Sequence, residues 1–348
     1  MDNKYNIIYG KHEKRFVGLN LAKGIGIVLV VLGHALSTLP TGSNDLCELL
    51  RTLIYLIHMP LFFVISGFLF ENNINKYQNK GFKAYATSKF RVFIIPYISF
   101  TLLITLIVAI GSYVEPFQSV IRKLGSPSIS IMSIVKSIVL YENPIDDHLW
   151  FSYVMFLVLI LSYLMIKIDK RLIVMIFYVL YIGTFFIILP ELIWKVFRYM
   201  LLFQMGRNLF QYNEYFEKIK NIWLLLVLFL STGIYLILKE QNLCIMGAIK
   251  PIAEISSSLL ILRLSFNLEY TKFKQILDYL GEKSYAIYLI HQPYIVPVIM
   301  ALVSGETFLT IFAVILSLVL GLLIPITIQD KIISKSKILS FLFLGGHK

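Results

Sequence analysis

Residues 308–328 read FLTIFAVILSLVLGLLIPITI, and none of these 21 positions carries a charged side chain. A helix of about 20 apolar residues spans the roughly 30 Å of a bilayer's hydrocarbon core, so this stretch predicts a membrane-spanning helix. Similar apolar blocks recur along the 348 residues, at approximately 17–39, 49–70, 92–112, 149–166, 172–189, 192–210, 222–238, 247–266, 284–303 and 308–328. The sequence therefore predicts an all-α, polytopic integral membrane protein with about ten transmembrane helices.

The composition supports the same class of protein. Hydrophobic residues make up 58% of the chain and charged residues only 15%, whereas about a quarter of the residues in a soluble domain are charged. This balance excludes an ordinary soluble enzyme, a disordered chain and a disulfide-stapled secreted domain. The net charge of +12 raises the question of a nucleic-acid partner. The basic residues lie between the apolar blocks rather than in one contiguous stripe, so we predict a lipid bilayer and no nucleic acid as partner.

The distribution of basic residues also predicts the orientation in the membrane. With the N-terminus inside, the inner segments carry 21 lysines and arginines and the outer segments carry 4. Basic residues concentrate in cytoplasmic loops, so both termini are predicted to be cytoplasmic. We expect a cytoplasmic leader at 1–16, a transmembrane domain at 17–328 and a cytoplasmic tail at 329–348. A short surface helix is expected at 130–141, within the longest external loop.

Ionisable residues inside the expected spans need an explanation, because each costs on the order of 3 kcal/mol on insertion scales. The first span contains Lys23 and His34. Eleven residues separate them by roughly 16 Å along a helix, so they cannot touch but can act on two parts of one long substrate. The alternatives are that Lys23 snorkels to the inner headgroups and that His34 bonds a carbonyl of a neighbouring helix.

The second span contains His58, two residues before Pro60, and the small pair Ser66-Gly67. A glycine at this position allows another helix to approach closely, so we expect a tightly packed helix here. Because the first two spans are antiparallel neighbours, His58 is expected near the depth of His34.

Two further histidines lie at the ends of later spans. His148 and Trp150 open the fourth span, and His291 precedes Gln292-Pro293 in the ninth. Trp150 has an alternative role as an interface anchor. His291 has an alternative structural role, because proline breaks the helix and the freed carbonyls need donors.

The pattern of titratable residues argues against a proton-driven pump. Such relays usually combine Asp, Glu and His inside spans, whereas Glu254 is the only carboxylate well inside an expected span. The histidines also lack the spacing of a metal motif, so we predict no metal.

These stretches together resemble the membrane-bound acyltransferase family 3, especially its branch similar to fucose 4-O-acetylases and other surface-glycan O-acetyltransferases. Lys23 and His34 match the family's pattern of a basic residue, ten intervening residues and a histidine. The segments 58–70, 148–151 and 288–291 are similar to its later signatures. One departure is Asn20, where this branch often has Asp, and it puts in doubt a carboxylate that fixes Lys23.

The resemblance implies transfer of an acyl group, usually acetyl, to a sugar hydroxyl of a cell-surface or lipid-linked polysaccharide. The donor substrate is then cytoplasmic acetyl-CoA or another acyl-CoA, with no permanently bound cofactor, and the location is a bacterial plasma membrane. His34 is the expected general base or transient acyl carrier, because imidazole is well matched to deprotonating an alcohol. Lys23 is expected to hold the CoA side or stabilise negative charge, and His58 completes the catalytic set.

Substrate-binding roles are expected for a second group of residues. Arg91 matches a basic residue usual in the family, and with Lys89 it is expected to clamp the CoA phosphates. The alternative is that the pair only marks the cytoplasmic side of the membrane. The remaining candidates for substrate or acyl-CoA binding are His148, Trp150, Arg198, Arg207 and His291. Two alternative functions stay open: a flippase or transporter for a lipid-linked glycan, and a glycan polymerase.

Overall fold

The computed structural model describes residues 17–39, 45–114, 118, 121, 129–141, 147–238, 243–268, 271–293, 295–303 and 307–346. Within these ranges the chain is helical and contains no β-strand, which confirms the all-α class. The α-helices are α1 (Val17–Ser37), α2 (Asp45–Asn72), α3 (Ile74–Lys80), α4 (Phe82–Lys89), α5 (Ile95–Gly111), α6 (Ile131–Leu140), α7 (Trp150–Leu164), α8 (Lys170–Gly183), α9 (Glu191–Gln211), α10 (Asn213–Lys218), α11 (Asn221–Leu238), α12 (Leu243–Leu268), α13 (Lys274–Ile290), α14 (Val296–Val303), α15 (Thr307–Lys331) and α16 (Lys337–Leu344).

Seven of the described helical segments are long and apolar enough to cross a membrane. They are Val17–Ser37, Leu46–Asn72, Phe82–Gly111, Asp147–Leu164, Asn221–Leu238, Cys244–Leu268 and Leu309–Lys335. Multiple apolar helices of this kind confirm a multi-pass membrane protein. The count of ten and the cytoplasmic termini stay predictions, and the leader at 1–16 lies outside the described residues.

Three expected spans differ from these seven for physical reasons. Helix α8 has 14 residues, fewer than a helix needs to cross the hydrocarbon core. Helix α9 has 21 residues but carries Glu191, Lys195, Arg198 and Arg207. The ninth span, expected over 284–303 with a break before Pro293, is interrupted at that place, because α13 ends at Ile290 and α14 begins at Val296.

The chain forms two compact units, each built from separate stretches of sequence. The first contains the described residues within Met1–Val30, Asn44–Asn79 and Leu164–Ser284 and therefore holds most of α1, α2, most of α3, α8–α12 and the first part of α13. The second contains the described residues within Val31–Ser43, Lys80–Tyr163 and Tyr285–Lys348 and holds the end of α1, α4–α7, the end of α13 and α14–α16.

Close backbone contact between α2 and α9 organises the first unit. A Cβ atom on Gly67 would lie 1.9 Å from the carbonyl oxygen of Phe203, and one on Gly206 would lie 2.0 Å from that of Val64. The two glycines thus face each other's helix reciprocally, which is the small-residue packing typical of membrane helices. The predicted close approach at Gly67 is confirmed.

Helices α1 and α13 are joined in the first unit at Asn20. Its side-chain amide donates to the backbone carbonyl of Asp278 at 2.7 Å and also to its carboxylate. A Cβ on Gly281 would lie 2.0 Å from the Asn20 carbonyl oxygen, so the backbones touch at this level. Asn20 therefore ties α1 to a carboxylate on α13, one helical turn before Lys23.

The second unit includes the helix expected in the external loop. Helix α6 begins after Ser130, whose hydroxyl accepts the backbone N–H of Ser133 at 3.0 Å as an N-terminal cap. The Tyr97 hydroxyl on α5 donates to the carbonyl of Ser137. The predicted short helix at 130–141 is therefore confirmed, and a buried tyrosine anchors it.

Candidate active site

Three histidines meet in the second unit. His34 lies in the last turn of α1, His148 in the 3₁₀ turn before α7, and His291 directly after α13. The ring centroids of His34 and His291 are 5.1 Å apart, and those of His148 and His291 are 5.5 Å apart. The sequence predicted each histidine as a site residue, and the structure adds that His291 lies between the other two.

The ring of His291 is fully buried and its hydrogen bonds define its tautomer. Its Nδ1 atom lies 2.9 Å from the carbonyl oxygens of both Ile287 and Tyr288. A carbonyl oxygen can only accept, so Nδ1 carries a proton, and whenever the ring is neutral Nε2 holds the lone pair. His291 thus satisfies helix-end carbonyls as its structural alternative predicted, and it still presents a basic nitrogen.

Tyr288 fixes the position of His148. Its hydroxyl donates to the His148 carbonyl at 2.9 Å, and the Ser152 backbone N–H lies 3.4 Å from the same oxygen. Phe151 packs edge-on against the Tyr288 ring, and half-buried Trp150 packs edge-on against Phe151. Sequence reasoning did not assign Tyr288 a role, although its spacing of three residues from His291 puts both on one helical face.

A basic cavity of about 870 Å³ lies in the same unit. The lining comprises Lys80, Gly81, Phe82, Lys83, Ala84, Thr87, Ser88, Arg91, Val92, Gly345 and Gly346. Arg91 was predicted as a ligand contact, and the structure adds two lysines and a pair of glycines from the end of α16. Gly345 and Gly346 have φ angles of +64° and +83°, which only glycine adopts readily, so the chain can turn tightly against this wall.

Lys89, the predicted companion of Arg91, has a different environment. Its ammonium lies 5.4 Å from the centroid of the Tyr85 ring, within the range of a cation–π contact. Tyr85 is buried, and Lys89 is not among the residues that line the cavity. Lys80 and Lys83 are therefore the lysines that stand beside Arg91 there.

One face of α13 connects the cavity wall to the histidines. The Tyr285 hydroxyl donates to the carbonyl of Val92 at 2.7 Å, and Val92 lines the cavity. The Tyr285 and Tyr288 rings stack at a centroid distance of 6.2 Å. Six residues at 1.5 Å each put His291 about 9 Å further along the axis. Tyr285, Tyr288 and His291 thus form a continuous stripe from the basic cavity to the imidazoles.

The other two predicted catalytic residues belong to the first unit. Lys23 is half-buried in α1, and it takes part in interactions within the protein. His58 is buried in α2, where its Nδ1 lies 2.7 Å from the Ile54 carbonyl and therefore donates to it. The Tyr55 ring packs edge-on against His58 at 4.8 Å between centroids. The catalytic roles of Lys23 and His58 stay predictions.

Arg198 and Arg207 on α9 are both held by neighbours in the first unit. The Arg198 guanidinium lies over the rings of Phe185 and Trp194, at 4.3 and 4.6 Å from their centroids, and donates to the Thr184 hydroxyl. Arg207 is fully buried and donates to Glu71 at 2.9 Å. These contacts give each arginine a structural role, and ligand binding by either one stays a prediction.

Glu71 is a buried carboxylate that the sequence did not single out. It lies just beyond the expected second span, 49–70, but α2 continues to Asn72 and buries the carboxylate. Glu71 accepts from both Lys170 and Arg207. Through these two cations Glu71 joins α2 to α8 and α9, and the signal for its burial was the continuation of apolar residues up to Phe70.

The described part of the chain contains no group of three or more His, Cys, Asp or Glu residues arranged to hold a metal ion. A metal-free reaction remains a prediction from the sequence.

The fold and the histidine cluster define a multi-pass membrane protein with a buried imidazole site. The model of the Acyltransferase domain family, membrane acyltransferase family 3, matches residues 16–329. The chain therefore belongs to this family, and acyl transfer to a substrate is its activity class. No curated protein and no solved structure matches the chain.

Proposed function

We propose that the protein transfers an acyl group, usually acetyl, from cytoplasmic acyl-CoA to a sugar hydroxyl of a cell-surface or lipid-linked polysaccharide at a bacterial plasma membrane. The observation that supports this function is the meeting of His34, His148 and His291 in the unit that also contains the basic cavity. Such a unit offers a base for the acceptor and a cation-lined site for the donor.

The base is His34. An alcohol is a poor nucleophile at neutral pH, and general-base catalysis by imidazole contributes about 10²- to 10⁴-fold. As His34 removes the hydroxyl proton, the oxygen attacks the thioester carbonyl carbon. The carbon–sulfur bond then breaks, and the CoA sulfur takes the proton from the imidazolium. The products are a sugar ester and free CoA thiol, and His34 returns to its neutral form.

His291 and His148 support this step. His291 presents Nε2 towards the interior because its Nδ1 proton is committed to backbone carbonyls. The His148 ring lies 5.5 Å from that of His291 between centroids, and its backbone carbonyl accepts from Tyr288. The Nδ1 contacts hold the His291 ring and the Tyr288 bond holds the backbone of His148, and a fixed geometry is the condition for efficient proton transfer.

The donor site is the basic cavity. Phosphate groups of CoA carry several negative charges, and the planar guanidinium of Arg91 can bind a phosphate through two parallel hydrogen bonds. Lys80 and Lys83 add two more cations to the same wall. The stripe from Tyr285 to His291 then links the wall of this cavity to the imidazoles through packed side chains. The predicted topology puts the cavity at the cytoplasmic side, where acyl-CoA is found.

The proposed function is tested by the ester content of the surface polysaccharide. Cells with and without the protein are compared by NMR of the isolated polymer before and after mild base. We expect base-labile acyl signals only where the protein is present. His34→Ala should remove them while the protein remains in the membrane.

His12→Ala is the matched control, because it changes a histidine outside the residues that the family model matches. Wild-type ester levels in the His34→Ala strain would contradict the assigned base. Equal ester levels with and without the protein would contradict the polysaccharide as acceptor.

A further inference from the structure

The first unit contains a separate cavity of about 410 Å³ beside the first turns of α2. Its lining consists of Arg51, Thr52, Tyr55, Leu56, Tyr235 and Lys250. The orientation predicted from the basic residues puts this part of α2, α11 and α12 towards the external face. The cavity therefore lies on the side where an extracytoplasmic acceptor arrives.

Two cations of this cavity are only loosely neutralised by neighbouring carboxylates. The Arg51 Nη2 atom lies 3.4 Å from Glu48 Oε1, and the Lys250 Nζ atom lies 3.9 Å from Glu254 Oε1. Hydrogen bonds between charged nitrogen and oxygen are normally about 2.7–2.9 Å long. A guanidinium has five N–H donors and an ammonium three, so both cations retain capacity to bind a further oxyanion.

Tyrosines supply the remaining polar and aromatic surface. Tyr55 is 43% exposed, and the Lys250 ammonium lies 5.9 Å from the Tyr235 ring centroid. Aromatic faces pack against the C–H groups of a sugar ring, and their hydroxyls bond its oxygens. The inner side of Tyr55 contacts His58, one of the predicted catalytic residues.

We propose that this cavity binds an anionic sugar of the acceptor, with its oxyanion held between Arg51 and Lys250 and its ring against Tyr55 and Tyr235. The oxyanion is a phosphate or a carboxylate, since a guanidinium fork fits both. The identity of the ligand as acceptor rests on the proposed function, whereas the binding of an anionic sugar is measured without any turnover.

The test uses the full chain in phosphatidylcholine nanodiscs and saturation-transfer NMR with glucose 1-phosphate, glucuronic acid and glucose as probes. We expect saturation of at least one anionic sugar and at least about tenfold weaker binding of glucose. The preferred anion distinguishes phosphate from carboxylate. Arg51→Gln and Lys250→Gln should each weaken anionic binding about tenfold. Lys136→Gln, which removes an external cation that does not line the cavity, should leave it unchanged.

A competition measurement on the unaltered chain tests the site even if the variants do not fold. If the oxyanion occupies the cation pair, inorganic phosphate displaces the bound sugar competitively. Binding of glucose as tight as that of both anions, no binding of either anion, or unchanged affinity in both variants would overturn the proposal. If acyl transfer to a polysaccharide is observed together with any of these results, only the proposed sugar site is refuted. If the anionic sugar binds but no acyl group is transferred to the polysaccharide, the sugar site stands and the proposed function is refuted.

Discussion

Removing one hydroxyl tests whether the position of His148 matters for catalysis. In Tyr288→Phe, the buried carbonyl of His148 loses its 2.9 Å bond and the Ser152 N–H loses its acceptor. A buried polar group left unsatisfied costs about 1–3 kcal/mol. If about 1–2 kcal/mol of this is expressed as misplacement of the ring in the transition state, kcat falls roughly 5- to 30-fold, since each 1.36 kcal/mol is a factor of ten.

The matched control is Tyr285→Phe, one helical turn earlier. It removes the same atom, but that hydroxyl bonds Val92 in the wall of the basic cavity. We therefore expect Tyr288→Phe to lower kcat with little change in KM for acyl-CoA. Tyr285→Phe should raise KM for acyl-CoA and change kcat less. Both parameters are measured with purified protein in nanodiscs and normalised to the folded fraction from size-exclusion chromatography.

Changes of kcat and KM in the same proportion in the two variants would refute separate roles for the two hydroxyls. That result would mean that the hydroxyls only stabilise α13 and that neither one acts on a particular substrate. An unchanged kcat in a fully folded Tyr288→Phe protein would likewise separate His148 from the reaction.

Three further predictions concern packing, charge and the donor site. Gly67→Ala should destabilise the protein strongly, because its Cβ would lie 1.9 Å from a backbone carbonyl oxygen. Gly233→Ala should be neutral or stabilising, because that Cβ has no neighbouring atom within 4 Å. The two variants are compared by their thermal aggregation midpoints. Glu71→Gln should cost about 3–5 kcal/mol in denaturant unfolding, since it leaves a buried cation uncompensated, while Glu48→Gln in a partly exposed pair should cost less than about 1 kcal/mol. Arg91→Gln should raise KM for acyl-CoA about tenfold in initial-rate assays, and an unchanged KM would remove Arg91 from the donor site.

Much of the fold follows from apolar block length, because the bilayer imposes about 20 residues on every spanning helix. This rule predicted the helices around 17–39, 92–112 and 308–328. It gave one apolar block at 284–303, and the break inside that block was expected from the proline at 293, since hydropathy does not register an interruption of the backbone. The structure interrupts the helix after Ile290, where His291 supplies a donor for two carbonyls. An imidazole can terminate a helix within apolar surroundings, and a sliding average of side-chain polarity treats it as one polar residue.

The histidines themselves could be predicted, but not which of them meet. An imidazole inside a span is costly and therefore conspicuous in a sequence. Helix pairing depends on backbone contacts such as those at Gly24, where a Cβ would lie 2.2 Å from the Leu277 carbonyl. These contacts hold α1 against α13 and could not be derived from hydropathy. Sequence depth alone paired His34 with His58, whereas the structure adds a contact between His34 and His291.

The adjacent imidazoles of His34 and His291 differ in burial, and this difference suits them to different roles. His291 is 0% exposed, and its Nδ1 proton is shared by two carbonyls of its own helix. Moving this ring towards a substrate would break both Nδ1 contacts, and only the Ile287 carbonyl would keep a donor, the His291 backbone N–H, so His291 is suited to hold an orientation. His34 is only half-buried, and it lies at the end of α1 against the fixed ring. A half-buried imidazole can exchange partners with an entering hydroxyl, so the proposed function assigns the proton transfer to His34 and an orienting role to His291.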